Sequence, residues 1–493
     1  MNIYEIFRER SRDAGPFILS PDLEVQFTYE DMETLSGQYA NRLLELAVSP
    51  GDRVIAQVHK SPQSLFLYFA CLRVGAIFLP LNTAYLDEEL KHFVENAEPS
   101  VIVCDPTKEA LFRSLTGAQV RTMDVLGHGS FSDGLTSNTG FVTIDRDDDD
   151  IAVMLYTSGT TGRPKGAMIS HGNLATNGQA LHKAWQWQTG DVMLHALPVF
   201  HVHGLMVATH LPVLNGSPII FLTDFNPEDV TRLLPSATVY MGVPTNYTRL
   251  IGSDRLNREV CSNMRLFTSG SAPLLEPTFN NFRDLTGHEI VERYGMTETG
   301  MNTSNPLDGE RKPGTVGPML AGVTAKIIDD DGREVATDEP GNLLIKGPNV
   351  FMGYWKLPEK TKEGFTGDGY FKTGDLATRD ADGYISIVGR NKDMIISGGL
   401  NVYPKEVEAA IDKINGVFES AVIGLPHDDF GEGVCAIVVC DPAVSLDETE
   451  ILLQLKSRLA NFKRPKWIHF EPELPRNTMG KVQKNLLREK FKS

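Results

Sequence analysis

Short apolar runs alternate with amphipathic segments between residues 53 and 104, and this alternation constrains the fold more than any other feature. Residues 54–58, 76–80 and 101–104 are short, apolar and typical of buried strands. Residues 62–74 and 86–96 have the length and apolar spacing of helices. Strands that alternate with helices predict a sheet joined by helical crossovers, so we expect an α/β fold.

A glycine- and threonine-rich loop, residues 156–166 (Tyr-Thr-Ser-Gly-Thr-Thr-Gly-Arg-Pro-Lys-Gly), follows the apolar run 151–155. Its glycines allow a sharp turn, in which consecutive backbone N–H groups form a concave anion site, and Arg163 and Lys165 add positive charge. We interpret it as a polyphosphate-binding loop; the alternative is a surface loop without a ligand. It is not a Walker A loop, because the glycine spacing differs and no Ser or Thr follows Lys165.

Size and composition restrict the class of protein. A chain of 493 residues is too long for one hydrophobic core, so two or more domains are expected. The net charge of −17 argues against general nucleic-acid binding, and no apolar run has the roughly 18 residues of a membrane span. Five scattered cysteines and an N-terminus without a signal-peptide core predict a cytoplasmic protein with reduced thiols. Residues 461–493 carry nine basic and three acidic side chains, which indicates a local anionic partner or, alternatively, a solvated surface.

Three further stretches, residues 292–299, 370–375 and 389–393, carry side chains suited to a nucleotide. In residues 292–299 (Glu-Arg-Tyr-Gly-Met-Thr-Glu-Thr), Glu298 can hold Mg²⁺, which prefers oxygen ligands and bridges phosphate oxygens. Thr297 can donate to a phosphate oxygen; a helix start capped by Thr297 is the alternative. Asp375 can accept hydrogen bonds from two ribose hydroxyls, and Arg390 could bond the same ribose from the other side.

Lysine and histidine residues supply the remaining candidates. Lys481 lies beside a glycine in residues 475–482 (Pro-Arg-Asn-Thr-Met-Gly-Lys-Val), and we interpret it as a catalytic cation rather than a solvated charge. The paired histidines of residues 201–204 (His-Val-His-Gly) suggest metal or acid–base chemistry. No third ligand with convincing spacing accompanies them, so zinc is not expected.

Five ordered segments, residues 156–166, 292–299, 370–375, 389–393 and 475–482, resemble the motifs of the adenylate-forming superfamily, which includes acyl-CoA synthetases, peptide-synthetase adenylation domains and luciferases. The resemblance covers nearly the whole chain. It implies an N-terminal domain, residues 1–390, of αβ-layered sheets with a β-barrel-like subdomain, and a small mobile α+β C-terminal domain, residues 391–493. It also implies ATP, Mg²⁺ and CoA, with small-molecule substrates and no stable protein, nucleic-acid or membrane partner.

The resemblance also implies a role for each motif. Thr157 and Glu298 would bind Mg²⁺, and Thr297 would contact the α-phosphate of ATP. Lys481 would bridge the attacking carboxylate and that phosphate, and Lys392 would be the hinge between the domains. The nucleotide-binding positions that it implies are Thr157, Ser158, Gly159, Thr160, Thr161, Gly162, Lys165, Ser271, Ala272, Pro273, Tyr294, Gly295, Asp375 and Arg390.

Two arginines bear on the identity of the acid. Arg249 follows residues 244–248 (Pro-Thr-Asn-Tyr-Thr), and Arg293 directly precedes Tyr294 at the expected floor of the acid pocket. A guanidinium recognises a carboxylate through a planar two-bond fork, so two arginines near one pocket favour a dicarboxylic acid. Together with residues 201–204 and 293–302, they resemble the malonyl-CoA synthetase family. That resemblance implies malonate, or methylmalonate as well, held by His203, Arg249, Arg293 and Met301.

Three alternatives stay open. The acid is a short-chain or aromatic monocarboxylate if either arginine is a surface residue paired with an acidic helix. A non-catalytic nucleotide-binding protein on the same fold is disfavoured by Glu298, Asp375, Arg390 and Lys481, which are all present. Luciferase-like oxygenation shares these motifs but has no separate support in the sequence.

Overall fold

A computed structural model describes residues 1–157, 164–397, 400–427, 431–441, 444, 446–477 and 480–492, without the side chains of Lys392 and Asn401. The strands of this part of the chain are β1 (Pro16–Leu19), β2 (Val25–Thr28), β3 (Arg53–Gln57), β4 (Ile77–Pro80), β5 (Val101–Cys104), β6 (Gln119–Thr122), β7 (Ile151–Thr157), β8 (Lys165–Ser170), β9 (Met193–His195), β10 (Ile219–Phe221), β11 (Val239–Gly242), β12 (Leu266–Ser269), β13 (Val291–Met296), β14 (Gly300–Ser304), β15 (Thr324–Ile328), β16 (Gly341–Lys346), β17 (Gly353–Tyr354), β18 (Phe371–Arg379), β19 (Ile385–Arg390), β20 (Ile395–Ser397), β21 (Leu400–Val402), β22 (Val417–His427), β23 (Gly431–Cys440) and β24 (Trp467–Phe470).

The α-helices connect and cover these strands. They are α1 (Ile3–Ser11), α2 (Tyr29–Glu45), α3 (Pro62–Val74), α4 (Asp87–Ala97), α5 (Glu109–Leu115), α6 (His171–Ala184), α7 (His210–Asn215), α8 (Pro227–Leu233), α9 (Pro244–Ile251), α10 (Glu276–Thr286), α11 (Pro358–Gly364), α12 (Pro404–Ile411), α13 (Glu448–Leu455) and α14 (Lys484–Phe491). Across the described residues, none of the helices has both the length and the apolar character needed to cross a bilayer.

The alternating segment forms part of a seven-stranded sheet with the order β17-β8-β7-β4-β3-β5-β6. Strands β3, β4, β5 and β6 pair in parallel, which confirms the predicted crossovers through α3 and α4. Strands β3, β4 and β5 are buried along nearly their whole length, as expected when helices cover both faces of a parallel sheet, whereas the edge strand β6 is buried only at alternate residues. Helix α3 has the predicted bounds; it begins after Ser61, whose side chain caps it, and ends at Gly75 in the left-handed conformation.

A second large sheet has the order β14-β13-β12-β11-β9-β10-β1-β2, with parallel pairing from β13 through to β1 and an antiparallel strand at each edge. The carboxyl ends of β9, β11, β12 and β13 therefore lie along one edge, where ligands bind in open α/β sheets. Helix α3 belongs to a hydrophobic core that includes residues of both large sheets, so α3 is packed between them. This packing fixes the second sheet against the strands that flank the phosphate loop.

Two smaller sheets complete the fold and confirm the α/β class with a small C-terminal domain. An antiparallel sheet of order β15-β16-β18-β19 lies within the N-terminal part of the chain, for which a β-barrel-like subdomain is predicted without a position. The C-terminal sheet, β21-β20-β23-β22 with β24 beside β23, has its own core under α12 and α13. Strand β19 ends at Arg390, and a short 3₁₀ turn over Asn391–Asp393 leads into the C-terminal sheet. The boundary at residue 390 and the hinge at Lys392 stay predictions.

Contacts between described residues join the two parts of the chain, and two of them bear on the site. Lys413 Nζ lies 2.9 Å from Glu276 Oε2, which joins the C-terminal part to α10. Gly480 approaches Thr245 so closely that a Cβ on the glycine would lie 2.8 Å from the threonine Oγ1. The second contact brings the segment that contains Lys481 to the edge of the second large sheet.

Candidate active site

The ends of the phosphate loop are held together by the antiparallel pair β7–β8, in which Thr157 lies opposite Lys165. Thr157 Oγ1 donates to Glu298 Oε1 at 3.2 Å, and Lys165 Nζ lies 4.1 Å from the centre of the Tyr354 ring. The loop residues Ser158, Gly159, Thr160, Thr161 and Gly162 lie outside the described residues. Both ends of the loop therefore point toward the same carboxylate and tyrosine.

Glu298 is 6% exposed, and its carboxylate is the group that the side chains at this end of the site contact. Its Oε1 also accepts a hydrogen bond from the Tyr354 hydroxyl at 3.0 Å. In the part of the chain that the structure describes, no three His, Cys, Asp or Glu residues are grouped closely enough to hold a metal ion. One carboxylate beside hydroxyls nevertheless fits Mg²⁺ that arrives with a polyphosphate, since this ion keeps phosphate oxygens and water as its other ligands.

Thr297 lies half-buried in the turn between β13 and β14, directly before Glu298. The alternative of a helix start at this position is wrong, because both flanking segments are strands of the second sheet. The turn leaves the Thr297 hydroxyl without a side-chain hydrogen bond to the described residues. It can therefore donate to a ligand at the carboxyl end of β13.

Asp375 and Arg390 face each other because the register of β18 and β19 places them in opposite positions. Arg390 Nε lies 2.6 Å from Asp375 Oδ1, and the Tyr294 hydroxyl donates to Asp375 Oδ2 at 2.5 Å. Asp375 is 3% exposed. Burial and the neighbouring Asp375 charge raise the pKa of Tyr294 well above its usual value, so the phenol stays protonated and donates. The three predicted residues thus form one polar cluster beneath the predicted ribose site.

The loop after β12 carries the predicted adenine-binding residues Ser271, Ala272 and Pro273. Ser271 has a φ of 72°, and its Oγ lies 3.3 Å from His203 Nδ1. The contact with His203 therefore ties this loop to the histidine segment on the neighbouring element.

Gly295, on β13, has no room for a side chain, because a Cβ would lie 2.2 Å from the carbonyl oxygen of Gly300.

Arg293 and His203 form a buried pair of functional groups, each 2% exposed. Among the described residues, Arg293 Nε and Nη2 and His203 Nε2 have no hydrogen-bond partner. Burial lowers the pKa of Arg293 to about 9, and burial and the Arg293 charge hold the pKa of His203 well below its usual value. A buried cation with two unused donors is costly unless an anion pairs with it, so this place suits a carboxylate.

A cavity of about 570 Å³ lies between α9 and the C-terminal part of the chain. Arg249, Thr245 and Asn246 line it from α9, whereas Arg476 and Gly480 line it from the segment that precedes Lys481. Arg249 is exposed to this cavity. Of the described residues, Arg293, His203 and Met301 are not among those that line it. The two arginines predicted to hold one acid therefore lie in different surroundings, one exposed and one buried.

The two predicted lysines are described to different extents. Lys481 donates its backbone N–H to Asn477 Oδ1 at 2.9 Å. The side chain of Lys392 lies outside the described residues. The predicted acid-binding residue Met301 is 2% exposed, and its backbone N–H donates to Asn177 Oδ1 at 2.9 Å.

Sequence reasoning missed a network around Lys60. The Lys60 ammonium donates to the carbonyl oxygens of His195 and Leu222 at 3.1 and 2.5 Å, and lies 3.0 Å from His195 Nδ1. His195 Nε2 in turn lies 3.0 Å from the Gly204 carbonyl oxygen, next to His203. Burial lowers the pKa of Lys60 and of His195 well below their usual values. No motif marks Lys60, and its contacts are far away in sequence, so periodicity and spacing could not find it.

Comparisons with known proteins identify the family. Residues 9–355 match the AMP-binding enzyme family and residues 406–481 match the AMP-binding enzyme C-terminal domain. The chain therefore belongs to the AMP-binding enzyme family, which confirms the resemblance to adenylate-forming enzymes. The malonate–CoA ligase of Arabidopsis thaliana is 35% identical over 461 residues, which cover 85% of this chain and 74% of that protein. A feruloyl-CoA synthase from an Amycolatopsis species is 34% identical and covers 94% of both chains.

The solved structures include MatB from Rhodopseudomonas palustris, which is 49% identical to this chain. Its ATP-bound form superposes with a TM-score of 0.97 and covers 100% of this chain and 99% of that one. Its apo form, over the same coverage, gives a TM-score of 0.87. The arrangement of the present chain is therefore closer to that of the ATP-bound form.

Proposed function

We propose that this protein is an ATP- and Mg²⁺-dependent acid–thiol ligase that converts malonate to malonyl-CoA, with AMP and pyrophosphate as the other products. The observation that carries the proposal is Arg293, a buried guanidinium with two unpartnered nitrogens beside His203. The second carboxylate of malonate would supply the missing acceptors. The similarity to a malonate–CoA ligase supports the acid, and the similarity to an ATP-bound structure supports the nucleotide.

In the first step, a carboxylate oxygen of the acid attacks the α-phosphorus of ATP, and pyrophosphate leaves. Both reactants are anions, so catalysis requires positioning and the neutralisation of charge. Lys481 would lie between the carboxylate and the α-phosphate, Thr297 would donate to the α-phosphate, and Lys165 would face the outer phosphates. Bound through Glu298 and Thr157, Mg²⁺ would neutralise phosphate charge.

The nucleoside would be held at the Asp375 cluster. Asp375 is already fixed by Arg390 and Tyr294, so its carboxylate keeps one orientation and can accept hydrogen bonds from the ribose hydroxyls. The loop of Ser271, Ala272 and Pro273 would lie along the adenine. A carboxylate that is held before the ligand arrives loses little conformational entropy on binding.

In the second step, the thiol of CoA attacks the acyl carbonyl carbon, and AMP leaves. We propose that the C-terminal domain, residues 391–493, turns about Lys392 between the two steps. This rotation would withdraw Lys481 from the path of the thiol and bring residues 397–401 to the site. Hinge motions of this kind occur on microsecond to millisecond timescales and can limit turnover.

The choice of acid follows from the cost of an unpaired charge. A monocarboxylate would leave Arg293 without an acceptor in a buried place, whereas a dicarboxylate would satisfy it. Arg249 lines the cavity and is exposed, so its pairing with the acid would be weaker than that of buried Arg293. The similarity to a feruloyl-CoA synthase makes an aromatic monocarboxylate the competing acid, so the acid has to be measured directly.

The test is pyrophosphate release with ATP, Mg²⁺ and CoA against malonate, methylmalonate, succinate, acetate, butyrate, octanoate and 4-coumarate. We expect malonate to give the highest kcat/KM. Arg293→Met and Arg249→Met should each lower kcat/KM for malonate by roughly 10- to 100-fold, the value of a charge-assisted hydrogen bond, and leave KM for ATP unchanged. Arg283→Met is the matched control, since Arg283 lies on α10 with its side chain 40% exposed and pairs with Asp284. Preference for a monocarboxylate, with both arginine variants as active as the wild type, would contradict the malonate assignment.

A further inference from the structure

The segment that contains Lys481 is a tight turn closed by its own hydrogen bonds. Arg476 and Val482 form an isolated antiparallel bridge at its base. Asn477 N–H donates to the Lys481 carbonyl oxygen at 3.0 Å, and Lys481 N–H donates back to Asn477 Oδ1 at 2.9 Å. Gly480 N–H donates to the Asn477 carbonyl oxygen at 2.9 Å. The backbone of Lys481 is therefore fixed relative to Arg476.

Arg476 connects this turn to the C-terminal sheet. Its Nη1 donates to the Gly480 carbonyl oxygen at 2.6 Å, and its Nη2 pairs with Glu419 Oε2 on β22. The two side chains are 27% and 15% exposed, so the contact is largely shielded from water. Nη1 of the guanidinium therefore bonds the residue before Lys481, and Nη2 is held by Glu419 in the C-terminal sheet.

Gly480, directly before Lys481, lies against the helix that carries Arg249. Gly480 has a φ of 71°, and a Cβ at this position would lie 2.8 Å from Thr245 Oγ1. Thr245 and Arg249 are four residues apart on α9, so they lie on the same face of the helix, and both line the cavity. The turn is therefore confined between Arg476 on one side and α9 on the other.

We propose that Glu419 and Arg476 form a brace that positions Lys481 for the attack of the acid on ATP. Both are positioning residues, because Arg476 acts through the Gly480 carbonyl and Glu419 acts through Arg476. The inference rests on the proposed function, in which Lys481 serves only the first step. The brace lies wholly within the C-terminal part of the chain, so it moves with Lys481 when that part turns away.

This placement predicts a defect confined to one half of the reaction. Loss of the brace leaves the turn free to shift, and a displacement of about 1 Å at a reacting group costs roughly 100-fold in rate. The second half uses residues 397–401 and not Lys481, so it should not depend on the brace. Lysine has one charged head rather than a planar fork and cannot bond Gly480 and Glu419 with the same geometry, so Arg476→Lys should restore the rate only in part.

The experiment compares single-turnover formation of the acyl adenylate with thioester formation from synthetic acyl adenylate and CoA. For Arg476→Met we expect adenylate formation to fall by roughly 10- to 100-fold, while KM for ATP and the rate of thioester formation change by less than about twofold. Glu419→Gln should give a smaller fall in the same half. The double variant should be no slower than Arg476→Met alone, because the two residues act as one unit.

Lys484→Met is the matched control, since Lys484 pairs with Glu408 within the same part of the chain at 2.6 Å and should leave both halves unchanged. An equal fall in both halves, or an adenylation rate equal to that of the wild type, would overturn the brace. If Arg476→Met does not fold, Glu419→Gln alone decides between these outcomes. A wild-type protein that forms no adenylate with any acid would instead contradict the proposed function, so the two failures are distinguishable.

Discussion

Asp375 shows how a single side chain can be fixed before a ligand arrives. Its two oxygens accept from different partners, Arg390 on the adjacent strand and Tyr294 on another sheet. The carboxylate is 3% exposed, and its charge is balanced by that of Arg390. A buried charge that is paired and hydrogen-bonded tolerates little change, because removing the charge leaves its partner uncompensated.

Asp375→Asn should therefore weaken ATP binding and the fold together. The amide can keep a hydrogen bond to the Tyr294 hydroxyl, which can donate or accept, but it removes the negative charge that pairs with partly buried Arg390. We expect KM for ATP to rise by roughly 10- to 100-fold and the free energy of unfolding to fall by about 1–3 kcal/mol. Steady-state kinetics and urea unfolding measure these two effects.

Asp382→Asn is the control for Asp375→Asn. Asp382 also pairs with a cation, Lys312, but its side chain is 72% exposed, and exposed ion pairs contribute little. An Asp375→Asn protein with the KM for ATP of the control would exclude the nucleotide role of this carboxylate.

Some residues of the site lie in short sequence motifs and could be predicted, whereas others lie outside any motif. Asp375 and Arg390 were predictable because each lies in its own motif, and the strand register then explains why they meet. Tyr354 and Lys60 were not predictable, because a tyrosine in an apolar segment and a lone lysine have no distinctive sequence pattern. Their partners lie 56 and 135 positions away, and only the packing of separate elements brings them together.

At the scale of elements, the turn over His203–Val207 depends on a glycine. A Cβ on Gly204 would lie 1.9 Å from the carbonyl oxygen of Pro198, a backbone atom that cannot move alone. The Gly204 carbonyl oxygen also accepts from Thr209 Oγ1 at 2.9 Å and lies 3.0 Å from His195 Nε2. Gly204 therefore fixes the turn that carries His203 in two ways. Its missing side chain leaves room for the Pro198 carbonyl, and its own carbonyl oxygen contacts Thr209 and His195.

Gly204→Ala should displace this turn and the His203 ring with it. We expect the free energy of unfolding to fall by about 1–3 kcal/mol, since overpacking a closed site forces the backbone to shift. KM for the acid should rise, while KM for ATP should not, because the Asp375 cluster is on other elements. Gly117→Ala is the control, since a Cβ there meets nothing within 4 Å. Wild-type stability and KM for the acid in Gly204→Ala would contradict this account.

Element bounds were predictable where capping and hydrophobic pattern agree. Helix α2 begins after Thr28, a residue type typical of an N-cap; its side chain accepts from Asp31 N–H while the Asp31 carboxylate accepts from Thr28 N–H. The apolar pattern alone indicates a strand only over residues 420–425, whereas β22 extends over Val417–His427. Its antiparallel ladder with β23 continues past Pro426 to His427, and such pairing leaves no signal in one strand alone.

At the scale of the whole molecule, the small domain contributes charge to the large one. Glu292, 4% exposed at the start of β13, accepts from Leu274 N–H at 3.0 Å. Burial raises the pKa of Glu292 to about 7, although the charge of Lys405 on α12 acts to lower it. The ionised carboxylate is therefore favoured when α12 of the small domain lies near β13.

Glu292 should make the stability of the protein depend on pH. Its pKa is about 7 in the folded protein and near its ordinary value of 4.5 in the unfolded chain. The folded state therefore holds this proton when the unfolded chain has lost it, so the stabilisation is complete below about pH 4.5 and is lost as the pH rises toward 7. The loss is on the order of 3 kcal/mol.

Glu292→Gln tests this dependence, because glutamine has the shape of the protonated acid and can still accept from Leu274 N–H. Urea unfolding of both proteins at about pH 5 and about pH 7.5 should show similar stability at the lower pH and a more stable variant at the higher one. Glu276→Gln removes an exposed carboxylate from the other contact with the small domain, so it should follow the wild type. Wild-type and Glu292→Gln curves that stay parallel across this range would mean that Glu292 is ionised throughout and that Lys405 compensates fully for its burial.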